Sequence, residues 1–154
     1  MQIGLQKVIT GKTRMIDMEI ENKAKSNKIP VSGLETMEFQ LAMFDKMPAS
    51  EIAEGVMSAV RNPEEAEIGY RKMVALYVKQ NVETMADFIL NGEQTGMSSD
   101  ELLDKRNLNW IPKMEELMKT KSCFFAVGAG HLGGKNGVIQ LLRQKGYEVT
   151  PVRY

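Results

Sequence analysis

The chain has a single histidine, His131, and it lies in Gly128-Ala129-Gly130-His131-Leu132-Gly133-Gly134. An imidazole can ligate a metal or move a proton near neutral pH. The glycines around it let a backbone approach a ligand closely, and a helix start behind them would offer unpaired N–H groups. Three uses of this turn follow from the residues. The first is nucleotide binding, because Gly128 to Gly133 satisfies G-x-G-x-x-G. That fingerprint also requires an acid after the second strand, and here the segment ends Val152-Arg153-Tyr154. The second is metal or acid–base chemistry. A catalytic metal takes about three protein ligands, so carboxylates must join His131, and Glu35 is the best placed. The alternative for Glu35 is a carboxylate that favours a helix start at Thr36. The third use is a tight structural turn, although four glycines in seven residues carry an entropic cost on folding.

The elements that must position these residues read as helices with a few strands. Asp17 caps a short charged helix ending at Ser26, and Ile29 to Glu35 reads as a strand. From Thr36 the pattern is helical, with Met37, Leu41 and Phe44 on one face. Ser50 caps the next helix, toward Val60. Asn62-Pro63-Glu64-Glu65 then starts a helix that reaches Leu90, where Asn91-Gly92 is the stop. Ser98 and Glu101 form a capping box. A helix leads into Arg106-Asn107, and another, restarted near Pro112, ends by Thr120.

The last third reads as strand Ser122 to Val127, helix Lys135 to Lys145 and strand Tyr147 to Val152, a βαβ unit. A further strand is expected at Gln6 to Thr10. The expected fold is therefore α/β, one domain over residues 1–154, with a small, mostly parallel sheet under a large helical layer. So thin a sheet predicts an incomplete domain, completed by a missing segment or a partner chain. An open edge predicts self-association as a homo-oligomer.

Twenty basic and twenty acidic residues cancel, which leaves no electrostatic footprint for nucleic acid. The lone Cys123 excludes an internal disulfide, and twelve methionines suit flexible packing between helices. No run reaches the roughly 20 apolar residues of a membrane span, and Met1 to Lys7 has no hydrophobic signal core.

Taken together, Val127 to Gly134, Gly137-Val138-Ile139, Leu141-Leu142 and Gly146-Tyr147-Glu148-Val149 resemble the C-terminal signature of the TraB/GumN family, of the Tiki-like metalloprotease superfamily. Gly33-Leu34-Glu35-Thr36, followed by Gln40, resembles its central LET motif, and Arg106-Asn107 its later Arg-Asn pair. Asp17 resembles the aspartate that opens a helix before the central motif. These matches run in the family's order from about Met15 to Val152.

The resemblance implies a hydrolase of the peptidase class, dependent on a divalent metal, with two GxxH motifs flanking the central glutamate. Gly128 to His131 matches the second GxxH, and with one histidine the first has no counterpart here. The resemblance thus covers the C-terminal portion of the family domain, and the chain alone is expected to be inactive or poorly active. It implies His131 and Glu35 as metal ligands, or Glu35 as general base. It also implies Arg106 as partner of a substrate anion, and turn N–H groups near Gly130, Gly133 and Gly134 as stabilisers of an oxyanion. The substrate class would be peptide or protein, and an exported or lipoprotein native form is compatible. A non-enzymatic binder of a peptide or haem-like ligand, with an apolar groove near Tyr70, Met73, Tyr77 and Met85, is the competing function, and nucleotide binding the third.

Overall fold

The structure, a computed structural model, describes residues 14–45, 48–90 and 100–152. The described residues form α1 (Ile16–Ser26), α2 (Met37–Phe44), α3 (Ala49–Arg61), α4 (Pro63–Val78) and α5 (Val82–Leu90). A π-helical turn, Asp100–Asp104, then leads into α6 (Lys105–Met118). A 3₁₀ turn, Ala129–His131, precedes the last helix, α7 (Val138–Gln144). No described helix is long and apolar enough to cross a membrane. The expected strand at Gln6 to Thr10, the Asn91-Gly92 stop and Ser98 of the capping box lie outside the described residues.

No described residue belongs to a β-strand, so the expected α/β fold with a small parallel sheet is overturned. The reason is that a strand exists through its ladder, and these segments have none. Ser122 to Val127 keeps the alternation of a half-buried strand: Phe124 is exposed, while Phe125 and Val127 pack onto the core. Both pack against the cluster on α6 and α7, and among the described residues none pairs with the segment in a ladder. Ile29 to Glu35 is tied by a side chain instead, Lys113 Nζ donating to the Leu34 carbonyl at 2.7 Å. Likewise, Arg143 donates to the Val149 carbonyl at 2.7 Å in the segment after α7.

Helix boundaries depart from the expected ones for local reasons. The single helix from Pro63 to Leu90 is two helices, because Gln80 takes φ 55° and Asn81 accepts from the Thr84 N–H at 3.1 Å, capping α5. Conversely, Pro112 does not restart a helix but lies inside α6. The carbonyl it leaves without a donor is that of Leu108, and both residues are on the exposed side. Asp17 is within the first turn of α1 rather than its cap, and α3 begins after Pro48 rather than Ser50. At the end of α7, Gly146 has φ 90° and donates to the Arg143 carbonyl at 2.9 Å, while Tyr147 donates to that of Leu142 at 3.1 Å. That pair of bonds is a Schellman stop, and glycine meets its left-handed requirement.

The core lies between α6 and α7. Asn107, Trp110, Ile111 and Met114 form the buried face of α6, at helical spacing. Trp110, Ile111 and Met114 cluster with Val138 and Leu141, and Leu34, Phe125 and Val127 pack against them. This cluster anchors the three segments that carry the candidate site.

Candidate functional site

α6 presents Arg106, Asn107 and Trp110 on neighbouring positions of one face. The turn before α2 brings Glu35 to them, across 71 residues of sequence. Thr36 caps α2 by accepting from the Phe39 N–H at 3.2 Å, so the helix starts directly after Glu35 and returns Gln40 to it. Glu35 Oε1 accepts from Arg106 Nη2 and from Gln40 Nε2 at 2.8 Å. Its Oε2 accepts from Arg106 Nε at 3.2 Å and Trp110 Nε1 at 3.0 Å. Both partners of the ion pair are largely buried, Arg106 16% and Glu35 10% exposed at the side chain. Burial pushes the Glu35 pKa up, but the donors Arg106, Trp110 and Gln40 outweigh it and hold the carboxyl below its ordinary value.

Arg106 also donates through Nη1 to the Leu102 carbonyl at 3.1 Å, and its guanidinium lies 5.1 Å from the Trp110 ring centre. The other partner of that indole is His131, with ring centres 4.4 Å apart and planes tilted by 40°. The site is therefore one chain of contacts, from Glu35 through Arg106 and Trp110 to His131. His131 is buried, and burial pushes its pKa down to about 4, helped by the Arg106 charge and opposed by Glu35. The imidazole is neutral at pH 7.

Around the ring, His131 Nδ1 is 2.7 Å from Asn107 Oδ1. Asn107 Nδ2 donates to the Asn136 carbonyl at 2.8 Å and to the His131 carbonyl at 3.3 Å. Asn136 in turn donates to Asp104 Oδ2 at 2.8 Å. A pocket of about 60 Å³ lies here, lined by Asn107, Gly130, Gly133, Gly134 and Asn136 among others.

The glycines of the turn are set against α5. A Cβ on Gly133 would meet the Val82 carbonyl oxygen at 2.2 Å, and one on Gly130 the Ile89 Cδ1 at 2.6 Å. The Gly134 N–H donates to Glu83 Oε2 at 2.8 Å. Glu83 thus takes an N–H that an oxyanion or a phosphate would need, which removes support from nucleotide binding at this turn.

The structure brings together Glu35, Arg106 and His131 and places Gly130, Gly133 and Gly134 beside them. The described residues do not fit a resident metal ion. They contain no group of three His, Cys, Asp or Glu side chains able to hold one. The lone pairs of Glu35 already accept four hydrogen bonds, two of them from a guanidinium that would repel a cation. Glu35 also stands directly before the start of α2, as the other reading of it expects, and the ion pair is an addition to that position. Sequence reasoning does not single out Trp110, Asn136 or Glu83. For Trp110 a signal exists: it is the one tryptophan, a helical turn beyond Arg106-Asn107. Glu83 carries none, because its partner is a main-chain N–H far along the chain.

Comparison with known proteins adds the lineage. The sequence model described as "TraB/PrgY/gumN family" matches residues 2–151. Metalloprotease TIKI2 of Xenopus tropicalis is 52% identical over 52 residues, 32% of this chain and 10% of that protein. Metalloprotease TIKI1 of Danio rerio is 46% identical and that of Homo sapiens 44%, over the same shares. The matched stretch spans about a tenth of the length of these relatives. No solved structure matches.

Proposed function

We propose, from the premise that this chain belongs to the TraB/PrgY/gumN family, that it carries one part of a peptidase-like hydrolytic site. The substrate is a peptide or protein, and His131 is the chemical group. The observation that carries this reading is the state of His131: a buried, neutral imidazole, braced by Trp110 and Asn107 next to an arginine. The metalloprotease relatives give it its reaction class. In hydrolysis a neutral imidazole can accept a hydrogen bond from the attacking water and so orient it. With its pKa near 4, His131 is a weak proton acceptor at pH 7, so holding a donor in place suits it better than removing a proton. Arg106 supplies positive charge beside the ring and Glu35 holds Arg106 there. Dependence on a divalent metal belongs to the same reading, with its donors supplied by another segment or chain, because Glu35 is already taken by Arg106, Trp110 and Gln40.

The test is peptide hydrolysis by the whole gene product that contains this sequence, with and without added divalent metal, beside its His131→Ala variant. Metal-stimulated cleavage, reduced about 100-fold or more in the variant, is the expected result. Equal cleavage by variant and wild type sinks the role of His131.

A second reading has one observation in its favour. A pocket of about 300 Å³ between α4, α5 and the glycine turn is lined by Leu76, Tyr77, Val82, Met85 and Leu132. It has the size and apolar lining of a small-ligand site, as a non-enzymatic binder of a peptide or haem-like ligand would need. Calorimetry that finds such a ligand bound, with no metal-stimulated cleavage, would favour this reading. Self-association is proposed with either function, because Ile52, Val56 and Val60 of α3 are exposed. Light scattering that gives a strict monomer counts against it.

A further inference from the structure

We infer that Asn107 is a positioning residue that holds His131 as the Nδ1–H tautomer, leaving Nε2 as the ring nitrogen with a free lone pair. The inference rests on the reading of His131 as the chemical group of the site, and it adds what sets that group's hydrogen-bonding direction.

A carboxamide has one acceptor oxygen and one NH₂ donor, so its two ends are fixed by what they face. The Asn107 NH₂ faces two main-chain carbonyls, those of Asn136 at 2.8 Å and His131 at 3.3 Å. Carbonyls only accept. Reversing the amide would set oxygen against oxygen twice, within a residue only 1% exposed. The Asn107 oxygen must therefore face the ring, where it lies 2.7 Å from Nδ1. That oxygen also only accepts, so the proton of the neutral ring is on Nδ1 and Nε2 is bare. A histidine free in water prefers the opposite tautomer.

The clamp is held from outside as well. Asp104, at the end of the π-helical turn, accepts from the Asn136 side chain at 2.8 Å. This fixes the loop whose carbonyl orients Asn107. A purely structural role for Asn107, tying the glycine turn to α6, would use the same two carbonyls, but its loss would lower stability and leave kcat unchanged in a variant that still folds.

The chain's single histidine makes the distinction measurable. Long-range ¹H–¹⁵N NMR of the wild-type protein at pH 7.5 should give one imidazole, with Nδ1 at a protonated shift and Nε2 at an unprotonated one. In Asn107→Ala, checked for folding by circular dichroism, the pattern should move to the Nε2–H form or a mixture. In the peptide assay, Asn107→Ala should lower kcat about 10- to 100-fold, the usual cost of removing a partner that orients a histidine, with KM little changed. An Nε2–H histidine in the wild type overturns the inference, and so does an unchanged tautomer in folded Asn107→Ala. The wild-type spectrum decides even if the variant does not fold. Failure of the peptide assay with Nδ1–H intact would overturn the hydrolytic reading and leave the tautomer assignment standing.

Discussion

At Glu35 the cost of burying a carboxylate is offset by the donors Arg106, Trp110 and Gln40, which makes the ion pair depend on all of its members. Removing one partner of a buried pair leaves the other charge uncompensated and costs about 3–5 kcal/mol. Arg106→Met is therefore expected to destabilise the protein by about 3 kcal/mol in urea unfolding, more than the loss of an exposed pair such as Lys119–Glu116, whose attraction water screens.

His131 predicts a pH dependence with a definite sign. Its pKa is lowered from 6.5 to about 4 in the folded chain, so between those values the unfolded chain binds a proton that the folded one excludes. Stability is then complete above about 6.5 and is lost as pH falls toward about 4. The full span is worth about 3 kcal/mol. Glu35, lowered by its partners, adds a second loss once pH falls below the ordinary carboxylate range. Urea midpoints at pH 7.5 and 5 should differ in the wild type and draw together in His131→Gln. A flat wild-type profile over this interval would show that His131 is not buried neutral.

At the scale of elements, the glycine turn and α5 fit so closely that one methyl group decides the outcome. Gly133→Ala sets a Cβ 2.2 Å from a main-chain oxygen, and neither backbone can withdraw cheaply. A loss of about 2 kcal/mol or more is expected. Gly55, in the middle of α3 with nothing within 4 Å of its Cβ position, is the control. Gly55→Ala should stabilise by up to about 1 kcal/mol through helix propensity. Thermal melts of the two variants should move in opposite directions. The same contact gives two glycines of G-x-G-x-x-G another use: Gly130 and Gly133 serve the approach of a helix, and a pattern of glycines does not say what approaches.

At the scale of the whole molecule, the core on α6 and α7 holds the turn, Glu35 and Trp110 in one place. Met114, fully buried at its centre, should cost about 2–5 kcal/mol on truncation to alanine. Loss of the Trp110 near-ultraviolet signal at a lower urea concentration would report it, since that ring is shared by core and site.

The sequence by itself determined the local features. A helix starts at Thr36, Gly146 stops α7 and Pro63 opens α4. Each rests on backbone chemistry within a few residues, which a linear reading can see, and the order of motifs along the chain points to the family. It also named Glu35, Arg106 and His131 as the residues to watch. What only the tertiary structure decided is how they are used. Whether Ser122 to Val127 is a strand depends on a ladder partner, and the described residues offer none. Whether Glu35 is a free ligand depends on Arg106 and Trp110, more than seventy residues away. Which nitrogen of His131 carries its proton depends on two carbonyls that face Asn107. Periodicity and capping are local, whereas pairing, burial and protonation are set by neighbours that the chain supplies only once it has folded.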